Sequence, residues 1–209
     1  MLGAAGAGRP APGAVPRGSG RRAGVVEWRM PPVTLTTERL ILRPWREEDL
    51  APLFAINGDP VSMRHFPAVL TRAESDAWAA RLKAHFDEHG WGFWVVRSRA
   101  DDAFIGVVGL LSIPWQARFT PAVEIGWRIA PAARRRGFAE EAARASLAFG
   151  FDTLALPEIV AFTIPGNEPS WRLMERLGMQ ADGDFDHPRL PQGHPLQRHL
   201  LYRLTAPQR

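Results

Sequence analysis

The sequence predicts a single α/β domain whose mixed, mostly antiparallel sheet carries helices on both faces. Residues 92–97 and 103–111 are two apolar runs joined by the short turn Ser98–Asp102, which predicts an antiparallel hairpin. Residues 122–164 alternate strand, helix and strand, which predicts a crossover between parallel strands. The chain has 209 residues, 45% of them hydrophobic, and this is enough for one buried core.

The region before the hairpin is predicted to hold one strand and two helices. Apolar and β-branched residues predict the first strand over 37–43. Apolar residues at helical spacing predict a helix over 47–57. A second helix is expected to begin at Thr71, which forms a capping-box pair with Glu74, and to end at Gly90.

The region after the hairpin is predicted to alternate strands and helices. The fourth strand spans 122–129, and a helix with one apolar stripe follows over 137–150. The fifth strand, 158–164, is apolar on both faces, as expected of a strand that helices cover on both sides. A helix over 168–177 and a strand over 199–204 complete the predicted domain.

A basic tail, residues 1–33, is predicted to precede the domain, which we assign to residues 34–209. The tail is rich in Gly, Ala, Pro and Arg without apolar periodicity, so it cannot bury enough surface to become ordered. It is either disordered or the product of a start codon upstream of Met30. Residues 1–29 hold five arginines and one glutamate, which accounts for the whole net charge of +4. The neutral remainder predicts no nucleic-acid partner.

The absence of cysteine excludes disulfides, thiolate metal sites and a cysteine nucleophile. A reducing cytoplasm is therefore the expected compartment. No apolar run approaches the roughly 20 residues that cross a bilayer, so no membrane partner is expected. The acidic and imidazole side chains over 184–194 are irregularly spaced, and His187 and His194 each precede a proline, so we expect no metal site.

The strongest local signal for a ligand is the run Arg134–Ala139 (R-R-R-G-F-A) at the start of a predicted helix. The first amide groups of a helix lack partners within it and lie at the positive end of its dipole. A glycine at this point lets a phosphate approach the backbone, and guanidinium groups add bidentate donors. A phosphate-bearing ligand is therefore predicted; the alternative is a solvated arginine run that merely begins a helix. The run matches neither the P-loop nor the glycine-rich dinucleotide pattern.

The motif Arg134-x-x-Gly137-x-Ala139 resembles the pyrophosphate-binding turn of the GCN5-related N-acetyltransferase (GNAT) superfamily. The longer string R-R-G-F-A-E-E-A-A-R-A resembles its ribosomal-protein-alanine acetyltransferase-like branch. In that branch the segment after the fifth strand is similar to Asn167-x-x-Ser170 followed by L-M-E-R-L-G-M. The opening T-E-R-L-I-L-R-P-W and the strand A-F-I-G-V-V-G-L also fit, so the resemblance covers most of the predicted domain.

The resemblance implies an acetyl-CoA site between the fourth and fifth strands, which splay apart in this family. The backbone N–H groups that would hold the pyrophosphate are those of Arg134, Arg135, Arg136, Gly137, Phe138 and Ala139. The strand end that would align the pantetheine arm and polarise the thioester carbonyl is Trp127, Arg128 and Ile129. Asn167 would hold the pantetheine or a catalytic water, and Ser170 would line the channel. Both are also good helix-capping residues.

Glu124 is the predicted general base, and Glu124 and Asn167 are the residues expected to take part in catalysis. Many family members carry a basic glutamate near this point of the fourth strand, and enclosure in a cleft would raise the pKa of Glu124. The alternative is a structural ion pair between Glu124 and Arg128. Family members often place a Tyr or Ser seven residues after the asparagine as general acid. Met174 stands there and cannot donate a proton, so the general acid is unassigned.

The family forms its acceptor pocket from the first two helices and a C-terminal loop, here 184–194. The candidate pocket residues are Trp45, His65, Phe66, Trp91, Phe93, Trp115, Phe119, Asp186 and His187. We expect direct transfer, in a ternary complex without metal, to a primary amine of a small molecule or a peptide. We expect a monomer or homodimer. The alternative function is a non-catalytic acyl-CoA-binding sensor or partner module, which Met174 favours.

Overall fold

The computed structural model describes residues 31–207. The predicted tail thus lies outside the described residues except for its last part, 31–33. Val33 donates its amide to the carbonyl of Gly90 (3.0 Å) and accepts a 2.8 Å hydrogen bond from the indole of Trp94. The chain is therefore bound to the sheet from residue 33 onward.

The described residues form eight strands in one open sheet. Their bounds are β1 Leu35–Thr36, β2 Leu40–Arg43, β3 Phe93–Ser98, β4 Phe104–Ser112, β5 Val123–Ile129, β6 Glu158–Thr163, β7 Gln180–Asp186 and β8 Arg198–Thr205. Their order in the sheet is β1-β2-β3-β4-β5-β6-β8-β7. Neighbouring strands are antiparallel except β5 and β6, which are parallel.

Five α-helices connect these strands within residues 31–207. Their bounds are α1 Leu50–Asn57, α2 Pro60–Met63, α3 Arg72–His89, α4 Phe138–Asp152 and α5 Glu168–Arg176. The predicted capping box of α3 is present, and Gly90 ends that helix at a φ of 78°. None of the helices described between residues 31 and 207 combines the length and apolar character that crossing a bilayer requires.

Helices cover both faces of the sheet. Trp78 of α3 packs edge-on against Phe93 of β3, with ring centroids 6.5 Å apart. Phe149 of α4 packs edge-on against Trp94, the next residue of β3, with centroids 5.4 Å apart. Successive residues of a strand point to opposite faces, so Trp78 and Phe149 lie on opposite sides of the sheet, although Phe86 near the end of α3 also reaches Trp94. Gly150 of α4 lies against Leu110 and Ile159, which agrees with a position of α4 on the side away from Phe93. The predicted fold class is therefore confirmed.

The parallel strands β5 and β6 diverge from one another. They are in register at a single residue pair, Glu124 with Val160, whereas β4 and β5 stay paired from Gly106 to Ser112. These are the predicted fourth and fifth strands, and the predicted splay between them is confirmed. The strand numbers differ by one because β1 precedes the predicted first strand, whose last four residues form β2.

The prediction of one continuous first strand over 37–43 was wrong. The side chain of Thr37 accepts a hydrogen bond from the amide of Leu40 at 3.0 Å, and the backbones of the two residues also bond at 3.0 Å. These bonds close a tight turn, so the chain folds back and pairs β1 with β2. A threonine hydroxyl that competes for backbone groups interrupts a run whose composition otherwise favours a strand.

Two elements were missed, β7 and α2. The prediction placed 184–194 in a loop, but residues 184–186 belong to β7, and the loop begins at His187. The sequence of β7, Q-A-D-G-D-F-D, shows no apolar alternation because most of the strand is exposed at the sheet edge. Its pairing with β8 is the feature that makes it a strand. The single turn α2 exists because Asp59 accepts hydrogen bonds from the amides of Val61 and Ser62.

A buried ion pair fixes the segment between β2 and α1. Asp49 is fully buried and receives both terminal nitrogens of Arg43 at 2.8 Å, one on each carboxylate oxygen. The backbone amide of Arg46 also donates to Asp49 at 2.7 Å. Such a bidentate, fully bonded geometry is what makes a buried ion pair tolerable.

We expect Asp49→Ala to lower the free energy of unfolding by about 3–5 kcal/mol, because it removes the buried carboxylate that pairs with Arg43 and leaves that guanidinium only the exposed Glu48 and the carbonyl of Pro44. Asp76→Ala is the matched control, since Asp76 pairs with Arg72 on the exposed side of α3. The control should change stability by less than about 1 kcal/mol. Urea denaturation followed by circular dichroism measures both, and equal losses would contradict the structural role of the buried pair.

Candidate active site

The run Arg134–Ala139 forms a tight turn that delivers the chain into α4. Arg135 and Gly137 both adopt left-handed backbone conformations, with φ of 59° and 79°. Gly137 is the N-cap of α4, and no side chain caps the helix start. The first amides of α4 therefore have no partner in the helix and none from a capping side chain. This uncapped helix start fits an anionic group such as a phosphate.

Hydrogen bonds from Thr37 and Arg39, between β1 and β2, fix this turn and the start of α4. The carboxylate of Glu141, in the first turn of α4, accepts hydrogen bonds from the hydroxyl of Thr37 (2.6 Å) and from Nε of Arg39 (2.6 Å). Nη1 of Arg39 also donates to the carbonyl of Arg136 at 3.1 Å. Burial alone would raise the pKa of Glu141, but the bonds from Thr37 and Arg39 outweigh it and lower the pKa.

The side chain of Arg134 forms hydrogen bonds within the protein that join β5 and α2. Its Nε donates to the carbonyl of Ile129 at 3.1 Å, and its Nη2 donates to the hydroxyl of Ser62 in α2 at 2.7 Å. Its amide donates to the carbonyl of Pro131 at 3.3 Å. Among the arginines of the turn, the exposed residues are Arg135 and Arg136, and the latter lies over the ring of Phe138 at 4.7 Å.

Strand β5 presents Glu124, Gly126 and Arg128 to the face that α3 covers. A side chain at position 126 would meet the ring of Phe93 at 2.7 Å, so glycine is required for Phe93 to lie across the strand. Trp127 and its alternate neighbours point to the opposite face, which α4 covers. Glu124 and Arg128 therefore stand on one face with the Phe93 ring between them.

Glu124 lies at the point where β5 and β6 begin to diverge. Its side chain is partly buried and makes no hydrogen bond or ion pair with any residue described in 31–207. Burial raises the pKa of Glu124 to about 7, and the positive charge of Arg189 opposes this shift only weakly. The ion pair with Arg128 that the sequence left open is not formed, so Glu124 is an isolated carboxylate that titrates near neutral pH.

Arg128 is held between aromatic rings. Its guanidinium carbon lies 4.2 Å from the ring centroid of Phe66 and 4.0 Å from that of Trp78. Its Nη1 donates to the side-chain oxygen of Asn57 at 2.6 Å. Burial lowers the pKa of Arg128 to about 10, so the group stays charged at neutral pH. We call these four residues the Arg128 site.

The Arg128 site has no carboxylate within ion-pair distance among the described residues. Stacking on aromatic rings contributes about 0.5–2 kcal/mol to a cation. Transferring an ion from water to a fully buried site costs several kcal/mol, which opposes the stacking energy. Partial exposure of Arg128 reduces that penalty without removing it. The arrangement therefore leaves a positive charge that a bound anion could neutralise.

Asn167 and Ser170 lie at the start of α5, directly after β6. The side-chain nitrogen of Asn167 donates to the hydroxyl of Thr163 at 2.9 Å, and the side chain makes no capping bond. Its backbone carbonyl instead accepts from the amide of Ser170 at 3.0 Å. The capping role that the sequence left open is thus not performed by the Asn167 side chain, whose amide is tied to β6.

An aromatic cluster covers the β6–β8 part of the Glu124 face. Its members are Trp115, Phe119, Phe162, Phe185, His187 and His199. Val160, the register partner of Glu124, is packed with the apolar members. Burial lowers the pKa of His187 to about 4, with the nearby charges of His199 and Arg189 acting in the same direction. The cluster is therefore apolar and uncharged at neutral pH.

The structure divides the predicted pocket residues among several places. Trp115, Phe119 and His187 belong to the aromatic cluster, whereas Phe66 belongs to the Arg128 site and Phe93 packs against its Trp78. Trp45 is buried, and its indole donates to the carbonyl of Phe93 at 2.8 Å. The other three predicted residues lie apart from both groups: Trp91 packs on His85 and His89, His65 accepts from Arg64, and Asp186 is exposed at the sheet edge.

Sequence reasoning missed several residues that the fold brings to these places. Trp78 was assigned to the apolar stripe of α3, but its ring also stacks on Arg128. Phe162 and His199 come from β6 and β8, and no local pattern connects them. Phe185 and Arg189 lie within the segment 184–194 that was predicted to help form the acceptor pocket, although neither was singled out there. Of these residues, the sequence could have singled out only Trp78, because the large ring of a tryptophan on a helix can stack on a cation.

Neither Met174, at the family's usual position, nor Tyr202, the one tyrosine of the sequence, is placed to replace the missing general acid. Met174 is 1% exposed and belongs to the core, so its side chain cannot donate a proton. The hydroxyl of Tyr202 donates to Glu175 of α5 at 3.4 Å, on the face opposite Glu124. Among the described residues, no group of three or more His, Asp or Glu side chains is arranged to hold a metal ion.

Comparison with known proteins gives a consistent set of similarities. A family model described as an acetyltransferase (GNAT) domain matches residues 39–180, more than half of the chain. The [ribosomal protein uS5]-alanine N-acetyltransferase of Escherichia coli strain K12 is 30% identical over 189 residues, 85% of this chain and 93% of that protein. The uncharacterised N-acetyltransferase YnaD of Bacillus subtilis strain 168 is 30% identical over 152 residues, 72% of this chain and 85% of YnaD.

Solved structures agree with the sequence relatives. The crystal structure of a GNAT-family acetyltransferase from Bacillus anthracis matches with a TM-score of 0.69 and 25% identity, over 83% of this chain and 98% of that chain. An acetyltransferase from Agrobacterium tumefaciens strain C58 matches with a TM-score of 0.67 and 27% identity, over 82% and 94% of the two chains.

We expect Glu124→Gln to stabilise the fold at alkaline pH. The pKa of Glu124 is about 7 in the folded state against 4.5 as its ordinary value, so the parent loses stability as the pH rises from about 4.5 to about 7 and keeps this loss at higher pH. This rise in pKa corresponds to roughly 3–4 kcal/mol at its full effect. The variant should therefore exceed the parent in unfolding free energy by up to this amount at pH 8, and the difference should vanish below pH 4.5. Urea titrations at both pH values, with the exposed Glu88→Gln as control, measure it; a constant difference would contradict the burial of the charge.

Proposed function

Since the chain belongs to the acetyltransferase (GNAT) family, we propose that it moves an acetyl group from acetyl-CoA to a primary amine by direct transfer in a ternary complex. The resemblance identified from the sequence, including its ribosomal-protein-alanine branch, is confirmed by these relatives. The observation that carries the proposal is Glu124, an unpaired carboxylate with a pKa of about 7 at the point where β5 and β6 separate.

The residues around the β5–β6 gap fit acetyl-CoA. The uncapped start of α4 offers backbone amides to a pyrophosphate, and Arg135 and Arg136 add exposed positive charge beside it. The unpaired part of β5 has backbone groups that β6 does not occupy, which suits an extended arm carrying amides. We propose that Trp127, Arg128 and Ile129 serve through this backbone, and that Asn167 and Ser170 border the same gap.

Acetyl-CoA would supply an activated thioester, and the chain would supply the base. An amine must lose a proton to attack, and a carboxylate with a pKa near 7 is suited to accept that proton at neutral pH. The amine nitrogen forms the amide bond, the carbon–sulfur bond breaks, and Glu124 takes the proton directly or through one water. We assign no side chain to thiolate protonation, because Met174 is buried and solvent water can provide the proton.

The acceptor is proposed at the level of a primary amine, in a small molecule or at a protein N-terminus. The printed name of the Escherichia coli relative gives an alanine of ribosomal protein uS5 as the acceptor of that protein. The aromatic cluster next to Glu124 offers an apolar wall to such an amine. A cytoplasmic location, a monomeric or homodimeric state and the absence of a nucleic-acid partner stay predictions from the sequence.

We expect Ala139→Asp to weaken acetyl-CoA binding while leaving the fold intact. Ala139 lies in the first turn of α4, where a negative side chain suits the helix dipole but repels a pyrophosphate. Ala139→Asn is the matched neutral control of nearly the same size. Calorimetric titration with acetyl-CoA should show a Kd at least about tenfold weaker for Asp than for Asn, as expected for a lost charge-assisted contact. Equal acetyl-CoA binding by the two variants, or no acetyl-CoA binding by the folded parent, would contradict the cofactor assignment.

We expect Glu124→Gln to lower kcat/KM for the amine by about 10²–10⁴-fold with little change in acetyl-CoA affinity. Free-thiol release with an amine panel measures this, with Glu88→Gln as an exposed control. In the parent, kcat/KM should rise with pH through about 7, because the base acts when ionised, and the variant should lose that limb. If the variant turned over like the parent, Glu124 would not be the base. Acetyl-CoA binding without turnover of any amine would favour the non-catalytic module instead.

A further inference from the structure

The Arg128 site contains a charge that the described protein does not neutralise. The guanidinium lies over the rings of Phe66 and Trp78, and its Nη1 donates a hydrogen bond to the side-chain oxygen of Asn57. Asn57 is itself fully buried, and its side-chain nitrogen donates to Ser75 at 3.0 Å. The guanidinium is therefore fixed in position by packing and by a hydrogen-bonded amide, without an acid among the described residues.

The unused donors of Arg128 form one edge of the guanidinium. Nη1 bonds to Asn57 and lies 3.9 Å from the sulfur of Met63, while Nε and Nη2 donate to no described residue. Every buried side-chain nitrogen of the described residues has a hydrogen-bond partner. Because Nε and Nη2 of Arg128 have none, both nitrogens must be accessible to solvent. Nε and Nη2 together make the planar fork that binds an oxyanion in bidentate fashion.

The fork belongs to the face that carries Glu124. Glu124 and Arg128 are four residues apart on β5, so their Cα atoms are separated by about 13 Å along the strand. Between them lie Gly126, which has no side chain, and the ring of Phe93. One molecule bound along this face could thus contact the carboxylate at one end and the guanidinium at the other.

We infer that the acceptor is a primary amine bearing a carboxylate, and that Arg128 binds this carboxylate while the amine lies at Glu124. The inference rests on the proposed acetyl transfer and names its substrate class. Arg128 then determines specificity: its side chain binds the carboxylate of the acceptor, and its backbone is part of the segment of β5 proposed to bind acetyl-CoA. The phosphates of acetyl-CoA are the other source of an oxyanion. They are expected at α4, which packs on the opposite face of the sheet.

The test compares matched amines that differ only in charge. One set runs from β-alanine to ε-aminocaproate beside the corresponding carboxamides. A second set consists of short peptide amides that begin with alanine and carry Glu or Gln next to it. Thiol release gives kcat/KM for each pair with the parent, Arg128→Gln, Arg128→Lys and the control Arg72→Gln. Arg72 is an arginine that lies near the ring of Phe54 on the exposed side of α3.

The parent and the control should favour the carboxylate member of at least one set by about tenfold or more, as a charge-assisted bidentate contact provides. In Arg128→Gln this ratio should fall to about one. Arg128→Lys keeps the charge without the fork and should give an intermediate ratio. Circular dichroism and urea unfolding of each variant separate loss of the site from loss of the fold.

Three outcomes would overturn the inference. Equal use of charged and neutral amines by the parent would leave acetyl transfer standing and remove the role of Arg128. A Kd for acetyl-CoA that weakens in Arg128→Gln while the charged-to-neutral ratio is kept would assign the guanidinium to the cofactor. Absence of thiol release with every amine, despite acetyl-CoA binding, would defeat the proposed function and this inference with it.

Discussion

The divergence of β5 and β6 is the constraint on which the rest of the site depends. Parallel strands end at the same edge of a sheet, and here each is followed by a helix, α4 after β5 and α5 after β6. The starts of both helices therefore face one edge, where ligands of open α/β sheets commonly bind. Because the strands pair only at Glu124 and Val160, the gap between them begins at the carboxylate and opens toward the helix starts.

Some charged side chains of this region form hydrogen bonds that join secondary-structure elements, whereas others form no ion pair with any described residue. Glu141 and Arg134 join the arginine turn to the β1–β2 turn and to α2. Glu124 and Arg128, by contrast, have opposite charges on one face of one strand and do not meet, because strand geometry keeps them about 13 Å apart. Keeping two partly buried charges unpaired lowers stability. Groups with such perturbed pKa values cluster at functional sites, which supports the proposal that a ligand uses them.

Local signals predicted the elements that local interactions form. The capping box and the terminal glycine determined α3, and the apolar stripe determined α4, with bounds close to those observed. The same reasoning failed where side chains compete with the backbone or where pairing is distant. The hydroxyl of Thr37 broke the predicted first strand, and the polar, exposed β7 is a strand because β8 lies beside it. Neither fact has a signature in the period of apolar residues.

By itself the sequence determined the fold class, the uncapped helix start at Gly137 and the place of Glu124 on a strand, because each depends on residues that are near in the chain. Only the tertiary structure decided which of these groups stay free. Whether Glu124 pairs with Arg128, whether Asn167 caps α5, and which aromatic rings enclose a cation depend on side chains from distant segments. Phe66, Trp78 and Asn57 come to Arg128 from three separate places, and their packing leaves its guanidinium charged, fixed and unpaired among the described residues.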